Sequence, residues 1–140
     1  MRRIQLLLFV ASILLTSSVG WAADFVLIVN KSNAVNGISA DDARNIFLGK
    51  KTTWPDGKTL VFVLQESTKI HENFITEVLE RTPQQYMMFW KKAVFIGTGT
   101  APKSFKNDAE VKEFVAANLS AVGYIDEHAL DGSVKKLELK

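Results

Sequence analysis

Apolar residues fall along this chain in two alternating rhythms. Phe25-Val26-Leu27-Ile28-Val29 and Leu60-Val61-Phe62-Val63-Leu64 are unbroken apolar runs, as strands covered on both faces require. Ala121-Val122-Gly123-Tyr124-Ile125 is a third short strand, and Val134 to Leu139 alternates less cleanly, predicting an edge strand. Between the strands the period lengthens to that of a helix. Ala40, Ala43, Ile46 and Phe47 form one stripe, and Ile70, Phe74, Ile75, Val78 and Leu79 a second. Tyr86, Phe89, Trp90, Ala93 and Val94 form a third, with Met87 and Met88 beside them, and Val111, Phe114, Val115 and Leu119 a fourth. Methionine and aromatic residues at this spacing are expected in a core.

Punctuation supports these assignments. Ser39, with Asp42 three residues on, starts the first helix, and Gly49 ends it. Thr53-Trp54-Pro55-Asp56-Gly57 reads as a turn. Ser67 or Thr68 caps the second helix. Thr82 with Pro83 starts the third, and Asn107 with Glu110 the fourth. Strands alternating with helices predict an α/β three-layer domain with a mainly parallel sheet, the helix at Pro83 being an extra element.

The first 22 residues stand apart. Arg2 and Arg3 precede an apolar run from Leu6 to Leu15, and Gly20-Trp21-Ala22 places small residues as a cleavage site wants them. This layout is that of a secretory signal peptide, with an apolar core short for a membrane span. The expected organisation is therefore a leader at 1–22 and one domain at 23–140, directed to the periplasm. Removing Arg2 and Arg3 from the 17 basic residues leaves 15, against 15 acidic ones. The mature domain carries no net charge and gives no case for a nucleic-acid partner. With no cysteine in the chain, neither disulfides nor cysteine metal sites are available.

No catalytic set emerges. His71 and His128 lack the partner spacing of a zinc helix and read as solvated side chains. Ser67 has no Gly-x-Ser-x-Gly elbow around it. Gly97-Thr98-Gly99 lacks the third glycine of a dinucleotide fingerprint, and Gly49-Lys50-Lys51-Thr52 ends a helix where a phosphate loop opens one. The expectation is a protein that is not an enzyme and uses no cofactor and no metal. Anion-binding features remain. Gln65, Ser67, Thr68 and Lys69 lie where a strand feeds a capped helix, and Thr98, Gly99 and Thr100 offer hydroxyl and backbone donors. The alternative at the first place is that a hydroxyl merely caps the helix.

Several fragments together resemble the phosphate-binding proteins of ABC transporters. Ile46-Phe47-Leu48-Gly49-Lys50 followed by Thr53-Trp54-Pro55-Asp56-Gly57 is similar to one segment of them. Gly97-Thr98-Gly99-Thr100, Val111 to Val115 and Ala121-Val122-Gly123-Tyr124-Ile125-Asp126 are similar to a later one. The resemblance runs from about Ile38 to Asp126. It implies a single lobe of a type II periplasmic-binding-protein-like fold, whose ligand is phosphate or a similar small anion and whose partner is an ABC permease or an envelope protein. Where that family carries an arginine before its hydroxyl-rich turn, this chain has Gln65, followed by Glu66. The other reading is a periplasmic protein-interaction module that keeps the fold without the ligand.

Overall fold

The computed structural model describes residues 24–66 and 68–140; the expected leader and Ser67 lie outside the described residues. The strands are β1 (Phe25–Val29), β2 (Gly37–Ile38), β3 (Val61–Gln65), β4 (Lys103–Phe105), β5 (Ala121–Asp126) and β6 (Lys135–Leu139). The helices are α1 (Ala40–Phe47), α2 (Lys69–Val78), α3 (Pro83–Phe95) and α4 (Asp108–Ala117), with a 3₁₀ turn at Glu127–Ala129. The six strands form one sheet in the order β2-β6-β1-β5-β3-β4. β1 is antiparallel to both β5 and β6, while the remaining pairings are parallel, so β1 alone runs against the other five. This is the mainly parallel α/β lobe that the alternation predicts.

The unbroken apolar run of β1 has a direct physical reason, whereas in β3 Val61 is exposed and Phe62 half-buried, against the expected cover on both faces. Phe25, Leu27 and Val29 of β1 enter the core beneath α1 and α2, while Val26 and Ile28 enter the one beneath α4. β5 divides likewise, with Val122 and Tyr124 on one side and Ala121 and Ile125 on the other. Each fully buried Leu, Ile, Val or Phe contributes about 1.5–3 kcal/mol. The period of two therefore fills both layers without a polar position to spare. Gly123 keeps α4 close to the sheet, because a Cβ there would lie 2.8 Å from Val111 Cγ1 and 3.1 Å from Val63 Cγ2.

The helix starts form as their residues suggest. Ser39 Oγ accepts from the Asp42 N–H, and Asn107 Oδ1 from that of Glu110. At α3 the capping box is complete, with Thr82 and Gln85 bonding reciprocally and Pro83 in the first turn. Gly49 closes α1 at a φ of +73°, where Trp90 packs against it. No described helix is long and apolar enough to cross a membrane.

Three expectations need correction. β6 is not an edge strand: it lies between β2 and β1, and the two-residue β2 covers its outer side. Leu119 is exposed, because α4 ends at Ala117 and Leu119 lies in the turn before β5. The largest departure is α3. Of its apolar residues only Tyr86 is fully buried, and Phe89, Trp90 and Ala93 are half-buried; Met87, Met88, Val94 and Phe95 face solvent. The sheet face is already filled by α1 and α2, and α3 docks on α2, reaches α1 through the Tyr86 hydroxyl and sets Trp90 against Phe62 of β3.

Candidate functional site

The C-terminal end of β3, the turn after it and the start of α2 make one wall of an open groove of about 1100 Å³. Leu64, Gln65, Glu66, Thr68, His71 and Glu72 line that wall. α3 makes the other with Tyr86, Met87, Trp90, Lys91, Val94 and Phe95, and Ala101, Pro102 and Ser104 close the end nearest β4. A groove at the carboxyl ends of parallel strands is where open α/β sheets hold ligands.

The polar end rests on a network anchored by Gln65, which is only 2 % exposed. Its Nε2 donates to Asp108 Oδ1 at 2.5 Å and to the Tyr124 carbonyl at 3.1 Å, and its Oε1 accepts from the Thr68 hydroxyl at 2.9 Å. The Gln65 backbone N–H donates to the Tyr124 hydroxyl at 3.0 Å. Both atoms of the amide are thus committed to β5, α4 and the α2 cap, and Gln65 braces the turn. Asp108 Oδ1 also accepts from the Asp126 N–H, tying α4 and β5 to the same point.

Thr68 has the geometry of the α2 cap. Its backbone is extended and its Oγ1 accepts from the His71 N–H at 3.1 Å. His71 is half-buried, with Nδ1 2.5 Å from the Tyr124 hydroxyl. With the Tyr124 hydroxyl accepting from the Gln65 N–H and donating to His71 Nδ1, every partner in the pair is satisfied. The imidazole is then neutral, with its proton on Nε2. Burial lowers the His71 pKa and raises that of Tyr124, in agreement with this proton placement. The expectation of a solvated histidine therefore fails for His71, whereas His128 is exposed beside Asp126.

The structure brings together only part of the expected set. Gln65 and Thr68 line the groove. Lys69 is the first residue of α2, exposed and outside the lining. The Thr98 hydroxyl donates to the Ala93 carbonyl at 3.3 Å, and Gly99 packs on Trp90; with Thr100 they finish α3 and do not line the groove. Ser67 lies outside the described residues. Sequence reasoning missed His71, Glu72, Ser104 and the α3 wall. A usable signal existed for His71, three residues beyond the Thr68 cap and so in the first turn of the helix. None existed for Ser104, whose three-residue strand has no apolar pattern.

The groove chemistry is mixed. Ser104 and His71 Nε2 offer neutral donors, whereas the Thr68 hydroxyl proton is already given to Gln65. Glu66 and Glu72 are carboxylates, and Lys91 is the single cation among the lining residues. Most of the wall is apolar. Among the described residues no three histidine, aspartate or glutamate side chains gather to hold a metal ion.

No protein-family model matches the chain, and neither does any curated protein. Solved structures do. One is assigned as a phosphate ABC transporter substrate-binding protein, from Clostridium perfringens, with bound phosphate. It matches with a TM-score of 0.65 and 20% identity over 83% of this chain and 44% of that one. An ABC-type phosphate transport receptor from Vibrio cholerae matches with a TM-score of 0.61 and 19% identity, covering 83% and 46%. PstS from Borrelia burgdorferi matches with a TM-score of 0.64 and 13% identity, covering 84% and 47%. The chain has the fold of a single lobe of a periplasmic-binding protein and spans less than half the length of these neighbours.

Proposed function

We propose that this chain is an exported solute-binding-like protein whose ligand site is the polar end of the groove between β3, α2 and α3. The observation that carries the reading is the position of that groove, at the carboxyl end of β3 and the first turn of α2, in a lobe with the fold of phosphate-binding proteins. Phosphate or another small anion fits the donors there: the start of α2, which Thr68 caps and holds in place, the Ser104 hydroxyl and His71 Nε2. The affinity is weak. Each charge-assisted hydrogen bond contributes only about 1.5–3 kcal/mol net. Glu66 and Glu72 oppose an anion, and Gln65 brings no charge. We expect a dissociation constant around millimolar, about −4 kcal/mol.

Titration calorimetry with inorganic phosphate, on processed protein freed of ligand by unfolding and refolding, tests this. Weak binding that disappears in the Thr68→Ala variant is expected. Micromolar binding refutes the weak-affinity account, and no heat or thermal stabilisation at saturating phosphate refutes the ligand site.

The second reading is a protein-interaction module, served by an ABC permease or an envelope protein as partner. The exposed apolar side of α3 favours it, since a small anion leaves that side uncovered.

A further inference from the structure

We propose that the groove face is a two-fold interface between copies of this chain, each copy closing the other's groove. Met87 and Met88, and Val94 and Phe95 two turns on, lie on one side of α3, with Lys91 on the turn between them. Phe95 is 91 % exposed and Met88 55 %. The groove beside them is lined by Tyr86, Trp90 and Pro102. One face thus carries both an apolar projection and an apolar slot.

Its charges choose the occupant. Lys91 lies on the α3 wall, and Glu66 and Glu72 lie on the α2 wall. All three are exposed, and none forms an ion pair among the described residues. A two-fold axis across the groove mouth sets each Lys91 against the partner copy's carboxylates, and does so twice. Self-complementarity of this kind is what an isologous interface requires. A foreign partner would need its own cation and carboxylates in the matching arrangement; a second copy has them already.

Sedimentation velocity of the processed protein, run without phosphate from micromolar to submillimolar concentration, tests the interface separately from ligand binding. A dimer is expected. Phe95→Glu should raise its dissociation constant by about tenfold or more, with an unchanged far-UV spectrum, because an exposed side chain carries no part of the core. Glu72→Lys and Lys91→Glu should each weaken the dimer, and the double variant should recover it. A monomer throughout the range overturns the proposal, as does a dimer indifferent to Phe95→Glu. Failure of the double variant to recover overturns the two-fold pairing.

Discussion

Truncating Phe74 to alanine is the sharpest test of the packing that holds the groove in place. Phe74 has no exposed surface and stands among three aromatic rings. Tyr124 stacks on it with centroids 4.0 Å apart and planes 11° apart; Phe47 meets it edge-on at 4.6 Å and Phe25 at 5.4 Å. Burial loss and the residual cavity together cost about 3–5 kcal/mol for a phenylalanine. The upper half of that range is expected, because the walls cannot collapse. Tyr124 is tethered through its hydroxyl to Gln65 and His71, Phe25 sits in a strand paired on both sides, and Phe47 ends α1. For a domain of this size about 4 kcal/mol corresponds to a melting point lower by about 15 °C. Phe74→Leu keeps most of the volume and should lose only about 1.5 kcal/mol, mainly from lost ring contacts. Urea melts of both variants against the parent measure the difference, provided the slope is unchanged. A loss under about 3 kcal/mol for Phe74→Ala would refute the rigid-wall argument.

Three further outcomes are expected. His71 has a folded pKa below its unfolded value, so the unfolded chain takes up the proton first and stability falls as pH drops below about 6.5. His128, raised by Asp126, works in the opposite sense: its contribution is present in acid and lost as pH rises through its folded pKa. His71→Gln should therefore flatten the acid side of a stability–pH profile and His128→Gln steepen it; unchanged profiles contradict the assignment. Gly123→Ala should destabilise by about 1–3 kcal/mol through overpacking against Val111 and Val63 in denaturant melts, and a neutral result means α4 can move away without cost. Mass spectrometry of protein recovered from the periplasm should find Ala23 at the N-terminus, and intact Met1 on membrane-bound protein contradicts export with cleavage.

The elements legible in the sequence are those stabilised by their own residues. β1 and β3 declare themselves by continuous apolar runs, and α1, α3 and α4 by caps that act over three residues. What escaped depends on residues far away. β2 and β4 are two and three residues long and exist only through pairing with β6 and β3. The place of β6 inside the sheet follows from β2, nearly 100 positions earlier. His71 looks solvated until Tyr124, 53 residues on, is folded beside it. The α3 stripe has the spacing of a core helix, and nothing local shows that α1 and α2 have already covered the sheet. Half of the groove was therefore visible, the half built by the β3–α2 turn, and the half built by α3 was assigned to the interior.

The role of Gln65 bears on which anions the groove can take. An arginine at that point would bring a charge capable of bidentate contact with phosphate. Gln65 instead spends both amide atoms inside the protein, on Asp108, Tyr124 and Thr68. The groove donors are then the start of α2, the Ser104 hydroxyl and His71 Nε2, and burial disfavours the charged imidazole. Across a few ångströms two carboxylates repel a dianion more strongly than a monoanion, and the apolar α3 wall lowers the dielectric in which they act. Binding should thus weaken with each added ligand charge. Titration with phosphate on either side of its second ionisation, near pH 6 and near pH 8, separates charge from shape. Equal or tighter binding of the dianion would mean that Lys91, the one cation among the lining residues, outweighs the two carboxylates, and would move the site from Thr68 and His71 towards the α3 wall.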